Sequence, residues 1–215
     1  MSVTVGSPEW KRRLDVTLQV ISVCSRSCPR CYARYFVRGE PYTASVESVV
    51  HDIRTLGRVG RIFLSGGEVT LYPEFETLLR RAREVTQASL WIFTNGAKLV
   101  EHAAATGYLD GVAMSVYREN SHAGASTDKA IMREYAHAKP KRVKFKKLQI
   151  VHTLNRGATP CFRKGVTISV MDGRVYGCCV AAGMEGMDSI PLTEGWEERV
   201  KDLSVPCDRC DLGEP

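Results

Sequence analysis

Apolar runs typical of β-strands alternate with amphipathic segments typical of helices through the first 150 residues of the chain. The pattern predicts five strands, over residues 14–23, 61–65, 89–94, 111–117 and 143–151. Strands that alternate with helices imply a parallel sheet with helices over one or both of its faces. We therefore expect an α/β fold, and in barrel-like members of that class the chemistry lies at the carboxyl ends of the strands.

Two of the connecting helices have recognisable ends. Ser45 is expected to cap the first, which ends at Gly57, and Pro73 is expected to open the second. Each helix carries a stripe of apolar residues at helical spacing: Val46, Val49, Val50, Ile53 and Leu56 in the first, and Phe75, Leu78, Leu79, Ala82 and Val85 in the second. Shorter helical stretches are expected near 98–106 and 127–138.

Three cysteines, Cys24, Cys28 and Cys31, stand in the string CSRSCPRCY directly after the first predicted strand. Three thiolates on one short loop can hold three irons of a [4Fe–4S] cluster, and the missing fourth protein ligand leaves one iron open. A structural zinc site normally closes all four positions. A zinc loop and three buried cysteines are the alternatives that these residues leave open.

Each of the next three predicted strands also ends in a segment that could carry chemistry. SGGEVTL follows the second strand, TNG follows the third, and SVYR lies at the end of the fourth. In a parallel barrel or half-barrel the carboxyl ends of the strands share one rim. The cysteine loop and these three segments would then converge on a single site.

In this order the motifs resemble those of the radical S-adenosylmethionine (radical SAM) superfamily, over about residues 14–155. The resemblance rests on the cysteine loop, on Gly-Gly-Glu at 66–68 and on Thr-Asn-Gly at 94–96. It implies a partial (β/α)6 barrel that holds a [4Fe–4S] cluster on the three cysteines and SAM at the open iron. It also implies reductive cleavage of SAM to a 5′-deoxyadenosyl radical, with an electron donor such as flavodoxin or ferredoxin.

The resemblance assigns several residues to SAM. Gly66 and Gly67 would let the backbone approach the methionine part, because they lack side chains. Glu68 would accept hydrogen bonds from the SAM amino group. Ser115 would lie at the ribose hydroxyls, with the segment that holds Thr94 and Asn95 nearby.

Two further positions stay open between a role at SAM and an ordinary one, and two others depart from the family pattern. Arg118 could pair with the methionine carboxylate or be an exposed arginine, and Ile150 could line adenine or belong to the core. The family usually has an aromatic residue before its third cysteine. Here that position is Arg30, and Tyr32 follows the cysteine instead. Val69 replaces the proline of the family's Gly-Gly-Glu-Pro, which weakens the rigidity of the turn but keeps the glycines and the glutamate.

Five cysteines beyond residue 160 suggest a second module. A hairpin turn is expected at Asp172-Gly173, and a helix is expected around Trp196. The pattern resembles a twitch or truncated SPASM extension, and the resemblance implies four ligands for a second [4Fe–4S] cluster: Cys161, Cys178, Cys207 and Cys210. A four-thiolate zinc knot is the alternative. Cys179 is left over as an exchange partner for Cys178, an inert thiol or a hydrogen donor.

Length and composition restrict the domain organisation and the cellular location of the protein. A length of 215 residues fits one domain with a small extension, and we expect the barrel over 1–155 and a cluster-binding extension over 156–215. No apolar stretch is long enough to span a membrane, and the first residues lack the apolar centre of a signal peptide. The eight cysteines are therefore expected to stay reduced in the cytoplasm. Residues 139–147 are strongly basic, but a strand with lysines on its exposed face explains them better than nucleic-acid binding.

Three functions remain possible from the residues. The first is a radical SAM enzyme that abstracts hydrogen from a small molecule or a peptide. The second is an activating or maturation enzyme that acts on a partner protein, and the third is a metal-binding module without catalysis. The five histidines show no metal-ligand spacing, although His122, in the loop after the fourth strand, could reach a substrate if it is not simply exposed.

Overall fold

The computed structural model describes residues 7–28, 31, 41–117, 125–150, 167–178, 182 and 186–203. The strands are Asp15–Ile21 (β1), Arg61–Gly66 (β2), Ser89–Thr94 (β3), Gly111–Tyr117 (β4), Lys144–Ile150 (β5), Thr167–Met171 (β6), Arg174–Tyr176 (β7) and Ile190–Pro191 (β8). The α-helices are Pro8–Arg13 (α1), Val46–Leu56 (α2), Phe75–Val85 (α3), Ala125–Ala138 (α4) and Trp196–Arg199 (α5). Across these ranges, no helix is long and apolar enough to cross a membrane.

All eight strands join one sheet in the order β5-β4-β3-β2-β1-β6-β7-β8. All pairs among β1 to β6 are parallel, and the β6–β7 and β7–β8 pairs are antiparallel. The expected α/β fold with a large parallel sheet is therefore confirmed, and all five predicted strands agree with the observed bounds to within two residues. The partial barrel and the boundary between residues 155 and 156 stay predictions.

The two faces of the parallel strands differ in composition. Alternate strand residues form one hydrophobic core with the helices: Val16, Leu18, Val20, Ile62, Leu64, Leu90, Ile92, Val112 and Met114. Side chains alternate between faces along a strand, so the opposite face is formed by Thr17, Gln19, Phe63, Ser65, Trp91, Phe93 and Ala113. One face therefore holds the fold together, and the other carries polar and aromatic groups.

The helix ends follow local chemistry. Ser45 Oγ accepts the Ser48 backbone N–H at 3.1 Å, and α2 stops at Gly57, whose φ of 63° suits glycine. Both predicted ends are confirmed. α3 begins at Phe75, two residues after Pro73, because Glu74 has the non-helical angles φ −107° and ψ 43°.

A helix was expected near 98–106, and that prediction is wrong. The chain forms turns there, followed by a 3-10 helix over Ala105–Tyr108. Backbone bonds three residues apart, such as Gly107 N to Ala104 O at 3.0 Å, alternate with bonds four residues apart. The Thr106 hydroxyl also donates to the Ala103 carbonyl at 2.6 Å, and such local bonds compete with a regular helix.

Strands β6, β7 and β8 continue the same sheet, because β6 lies parallel beside β1. The predicted hairpin turn is confirmed, with φ of 50° at Asp172 and 66° at Gly173 between β6 and β7. The predicted helix around Trp196 is α5, which is short. Its Trp196 ring lies 6.4 Å from that of Trp10 in α1, so this part of the chain shares the hydrophobic core of the first strands.

Candidate functional site

The loop after β2 lies directly against the loop after β1. The backbone N–H of Gly67 donates to the Ile21 carbonyl at 2.5 Å, and that of Glu68 donates to the Val23 carbonyl at 2.8 Å. A Cβ at Gly67 would lie 2.1 Å from the Val23 oxygen and 2.6 Å from the Ser22 oxygen. Only glycine allows this approach, which places Glu68 next to the cysteine loop.

Glu68 connects the loop after β2 to the loop after β3. Its side chain is 0% exposed. Oε1 accepts hydrogen bonds from the backbone N–H of Thr70 at 3.0 Å, the Thr70 hydroxyl at 2.6 Å and the Thr94 hydroxyl at 2.5 Å. Oε2 accepts the Asn95 backbone N–H at 2.5 Å. A buried carboxylate with four donors is stabilised in place, so the two loops are held in one arrangement.

Asn95 connects the loop after β3 to the cysteine loop after β1. Its side-chain Nδ2 lies 3.7 Å from Cys24 Sγ and 3.2 Å from Ser25 Oγ. The loops after β1, β2 and β3 are therefore joined by hydrogen bonds at one edge of the sheet. The convergence predicted for these three segments is observed.

The cysteine loop is also tied to helix α4. The guanidinium of Arg26 forms a bidentate ion pair with the Asp128 carboxylate. Nη1 lies 3.3 Å from Oδ2, and Nη2 contacts Oδ1. The Asp128 side chain is 0% exposed and that of Arg26 is 21% exposed. The residue midway between Cys24 and Cys28 is thus held by the first turn of the helix that follows β4.

The three cysteines are half-buried. Burial raises the pKa of the Cys24 thiol, the nearby Glu68 carboxylate adds to the rise, and a hydrogen bond from the Arg26 backbone opposes it. Among the residues that the structure describes, no three His, Cys, Asp or Glu side chains converge where one metal ion could bind. Three cysteines on one loop match the ligand set of a [4Fe–4S] cluster with one open iron, whereas a structural zinc site normally has four protein ligands.

Residues 18–142, more than half of the chain, match the radical SAM superfamily. The chain belongs to the radical SAM superfamily. Members of this superfamily are generally enzymes, and the family implies a [4Fe–4S] cluster and SAM binding. No curated protein sequence matches the chain significantly.

The solved structures that resemble this radical SAM protein include those of BtrN and SuiB. The structure of BtrN in an open conformation is 18% identical, with a TM-score of 0.53 over 88% of this chain and 84% of BtrN. The structure of SuiB from Streptococcus suis bound to the precursor peptide SuiA is 12% identical, with a TM-score of 0.51 over 86% of this chain and 63% of SuiB. The chain thus spans less than two thirds of SuiB. At these identities the likeness shows the fold alone.

The other residues predicted at SAM lie at the same edge of the sheet where the structure describes them. Gly66 ends β2 with a φ of 127°, and Ser115 lies half-buried in β4. Ile150 ends β5 and pairs with Tyr117. Cys178 directly follows the β6–β7 hairpin, is half-buried, and its carbonyl accepts the Ser169 hydroxyl at 2.7 Å.

Several predicted residues lie outside the described ranges, so their placement is not stated: Tyr32, Arg118, His122, Cys161, Cys179, Cys207 and Cys210. Of the proposed auxiliary ligands, the structure describes Cys178. The ligand set of a second cluster therefore stays a prediction.

The sequence analysis did not identify three residues that build this site. Thr70 gives Glu68 two of its four hydrogen bonds, and Arg26 and Asp128 anchor the cysteine loop. Thr70 could have been recognised, because a carboxylate two residues before a threonine at a helix start is a common capping arrangement. The ion pair joins residues 102 positions apart, and no local pattern indicates such a contact.

Proposed function

We propose that this radical SAM protein binds a [4Fe–4S] cluster through Cys24, Cys28 and Cys31 and SAM at the open iron. When bound and reduced, the cluster would supply the electron that cleaves SAM to a 5′-deoxyadenosyl radical, which then removes hydrogen from a substrate. Reduced thiols of this kind and an electron donor such as flavodoxin or ferredoxin fit a cytoplasmic location.

The observation that carries the proposal is the bonding of three loops around Cys24. Glu68 joins the loops after β2 and β3, and Asn95 reaches from the loop after β3 to the cysteine. This arrangement brings the Gly-Gly-Glu and Thr-Asn-Gly motifs to the cysteine loop. A ligand on the open iron would lie within reach of both motifs.

The SAM contacts follow from that placement. Gly66 and Gly67 would present backbone groups to the methionine part, and Thr94, Asn95 and Ser115 would lie toward the ribose. Glu68 would receive the amino group. Its two oxygens already accept four hydrogen bonds, about as many as a carboxylate can, so the amino group would displace one present donor or share its oxygen.

The remaining SAM contacts belong to residues whose side chains the structure does not describe. Arg118 would pair with the methionine carboxylate, and Ile150 and Tyr32 would border adenine. Cys179 would be the candidate hydrogen donor at the active site, and His122 would be a residue that can reach the substrate. These assignments rest on the family resemblance.

The substrate would lie on the sheet face away from the helices. That face carries stacked Phe63 and Phe93 rings, with centroids 4.3 Å apart and planes 9° apart. It also carries Gln19, whose Oε1 is buried and accepts no hydrogen bond within the part of the chain that the structure describes. Buried acceptors are rarely left unpaired, so a polar ligand or water is the expected partner. A small molecule or a peptide with a hydrogen-bond donor fits this surface.

We further propose that Cys161, Cys178, Cys207 and Cys210 bind a second [4Fe–4S] cluster in a twitch-like or truncated SPASM-like extension over residues 156–215. Cys178 directly follows the hairpin that the sequence predicted, and it is half-buried beside Tyr176 and Ala182. Such a cluster could accept an electron from a substrate radical.

Metal analysis tests the main proposal. Anaerobically reconstituted protein should contain iron and sulfide and should bind SAM. The variant with Cys24→Ala, Cys28→Ala and Cys31→Ala should lose one cluster and SAM binding while its urea unfolding stays cooperative. A parent protein that takes up stoichiometric zinc at these cysteines and no iron would refute the assignment.

A further inference from the structure

The side chain of Asn95 faces a sulfur that the proposed function makes a cluster ligand. Nδ2 lies 3.7 Å from Cys24 Sγ, which is within the range of N–H···S hydrogen bonds. The same nitrogen lies 3.2 Å from the hydroxyl of Ser25. Asn95 is buried, with 8% of its surface exposed, so water competes little for this donor.

Two further bonds fix the direction of the Asn95 amide. Oδ1 accepts the backbone N–H of Ala97 at 3.1 Å and lies 3.5 Å from the Ser25 hydroxyl, so both neighbours of the oxygen can donate to it and the nitrogen faces the cysteine. The backbone N–H of Asn95 donates to Glu68 Oε2 at 2.5 Å. Glu68 thereby holds the main chain from which the amide projects. Rotating the amide so that its nitrogen and oxygen exchange places would bring Asn95 Nδ2–H against the Ala97 N–H, and both groups are donors.

We propose that Asn95 donates a hydrogen bond to the Cys24 sulfur of the bound cluster and thereby raises the reduction potential of that cluster. Asn95, held in place by Glu68, then tunes the cluster in addition to lying toward the SAM ribose. The inference rests on the proposed assignment of Cys24 as a cluster ligand.

The direction of the effect follows from charge. Reduction adds one electron, and part of the added negative charge resides on the sulfurs. A donor at a cysteine sulfur therefore stabilises the reduced cluster more than the oxidised one, and hydrogen bonds to the sulfurs are among the factors that set cluster potentials. For a one-electron couple, a tenfold change in the equilibrium constant for reduction of the cluster corresponds to about 59 mV.

The test compares two variants of the full chain. Asn95→Ser keeps an oxygen that can accept the Ala97 N–H, but its side chain is too short to reach Cys24. Ser25→Ala is the matched control, because it removes a hydroxyl that contacts both the nitrogen and the oxygen of the amide and leaves the Asn95–Cys24 pair intact. Each protein is reconstituted anaerobically and titrated with dithionite, the reduced cluster is followed by EPR, and the dissociation constant for SAM is measured separately.

The inference predicts that Asn95→Ser makes the reduction potential of the cluster more negative. The equilibrium constant for reduction should fall by about threefold to tenfold. The shift should be present in the absence of SAM, and Ser25→Ala should keep the parent potential. An unchanged potential in Asn95→Ser overturns the inference, whether or not SAM binding weakens. Weaker SAM binding at the parent potential would assign Asn95 to the ribose instead.

A measurement on the parent protein covers the case in which Asn95→Ser takes up no cluster. The chain contains three asparagines, so asparagine carrying ¹⁵N in its side-chain amide labels few positions. Pulsed EPR of the reduced cluster should show a nitrogen coupling that changes with this label, and a spectrum that the label does not change overturns the inference. A parent protein that forms no cluster at Cys24 refutes the proposed function, whereas a parent cluster without the coupling refutes only the role of Asn95.

Discussion

The ion pair between Arg26 and Asp128 predicts how strongly the cysteine loop is held before any cluster is bound. Removing one partner of a fully buried pair costs about 3–5 kcal/mol. Asp128 is 0% exposed, but Arg26 is 21% exposed and retains some contact with water. A bidentate, charge-assisted pair with one buried and one partly exposed side chain should therefore show a coupling free energy of about 2–3 kcal/mol. The exposed pair Arg80–Glu84, with side chains 46% and 51% exposed, should show about 0.3–0.5 kcal/mol.

A double-mutant cycle in urea measures both couplings on the cluster-free protein. Arg26→Ala, Asp128→Ala and the double variant form the first cycle, and the corresponding alanine variants of Arg80 and Glu84 form the control. Iron uptake after reconstitution should fall in both single variants of the first cycle, because the loop loses its anchor. A coupling at Arg26 and Asp128 no larger than that of the control pair would show that α4 does not hold the loop, and the reasoning would fail.

Three other perturbations follow from the structure. Gly67→Ala should lower the free energy of unfolding by about 3 kcal/mol or more, since its Cβ would lie 2.1 Å from a backbone oxygen, whereas Gly107→Ala, with nothing closer than 3.4 Å, should change it by less than about 0.5 kcal/mol. Burial raises the pKa of Asp52 above its unfolded value of about 3.9, so the folded protein loses stability as the pH rises past that value. Asp52→Asn should therefore raise the melting temperature at pH 7 and lose this advantage below about pH 4; an equal gain at both pH values would contradict the burial argument. Cys207→Ala with Cys210→Ala should remove one cluster's iron and sulfide and leave the spectrum of the first cluster, and a loss of zinc instead would exclude the auxiliary cluster.

The sheet could be predicted because its signals are local. The strands end where apolar runs meet the Gly-Gly-Glu and Thr-Asn-Gly motifs, and α2 begins and ends at residues whose chemistry is that of helix caps. The segment near 98–106 was predicted wrongly for a related reason. Its composition permits a helix, but the Thr106 hydroxyl bonds the chain three residues back and favours a tighter turn.

The site could be predicted in part. The positions of the motifs at neighbouring strand ends were enough to bring Glu68, Asn95 and Cys24 to one edge of the sheet. Which atoms meet there depends on the packing of separate loops, and spacing along the chain does not specify it. Glu68 was assigned to SAM alone, whereas four hydrogen bonds also make it the link between two loops. The Arg26–Asp128 pair likewise depends on where α4 packs.

The most direct test of the account is product analysis after anaerobic reconstitution and reduction. The protein is incubated with SAM and dithionite, and 5′-deoxyadenosine is quantified by mass spectrometry. The account predicts that the parent chain forms 5′-deoxyadenosine and that the variant with Cys24, Cys28 and Cys31 changed together to alanine forms none. Formation at the parent rate by that variant, or no 5′-deoxyadenosine from a parent protein that carries its cluster and binds SAM, would contradict the central claim.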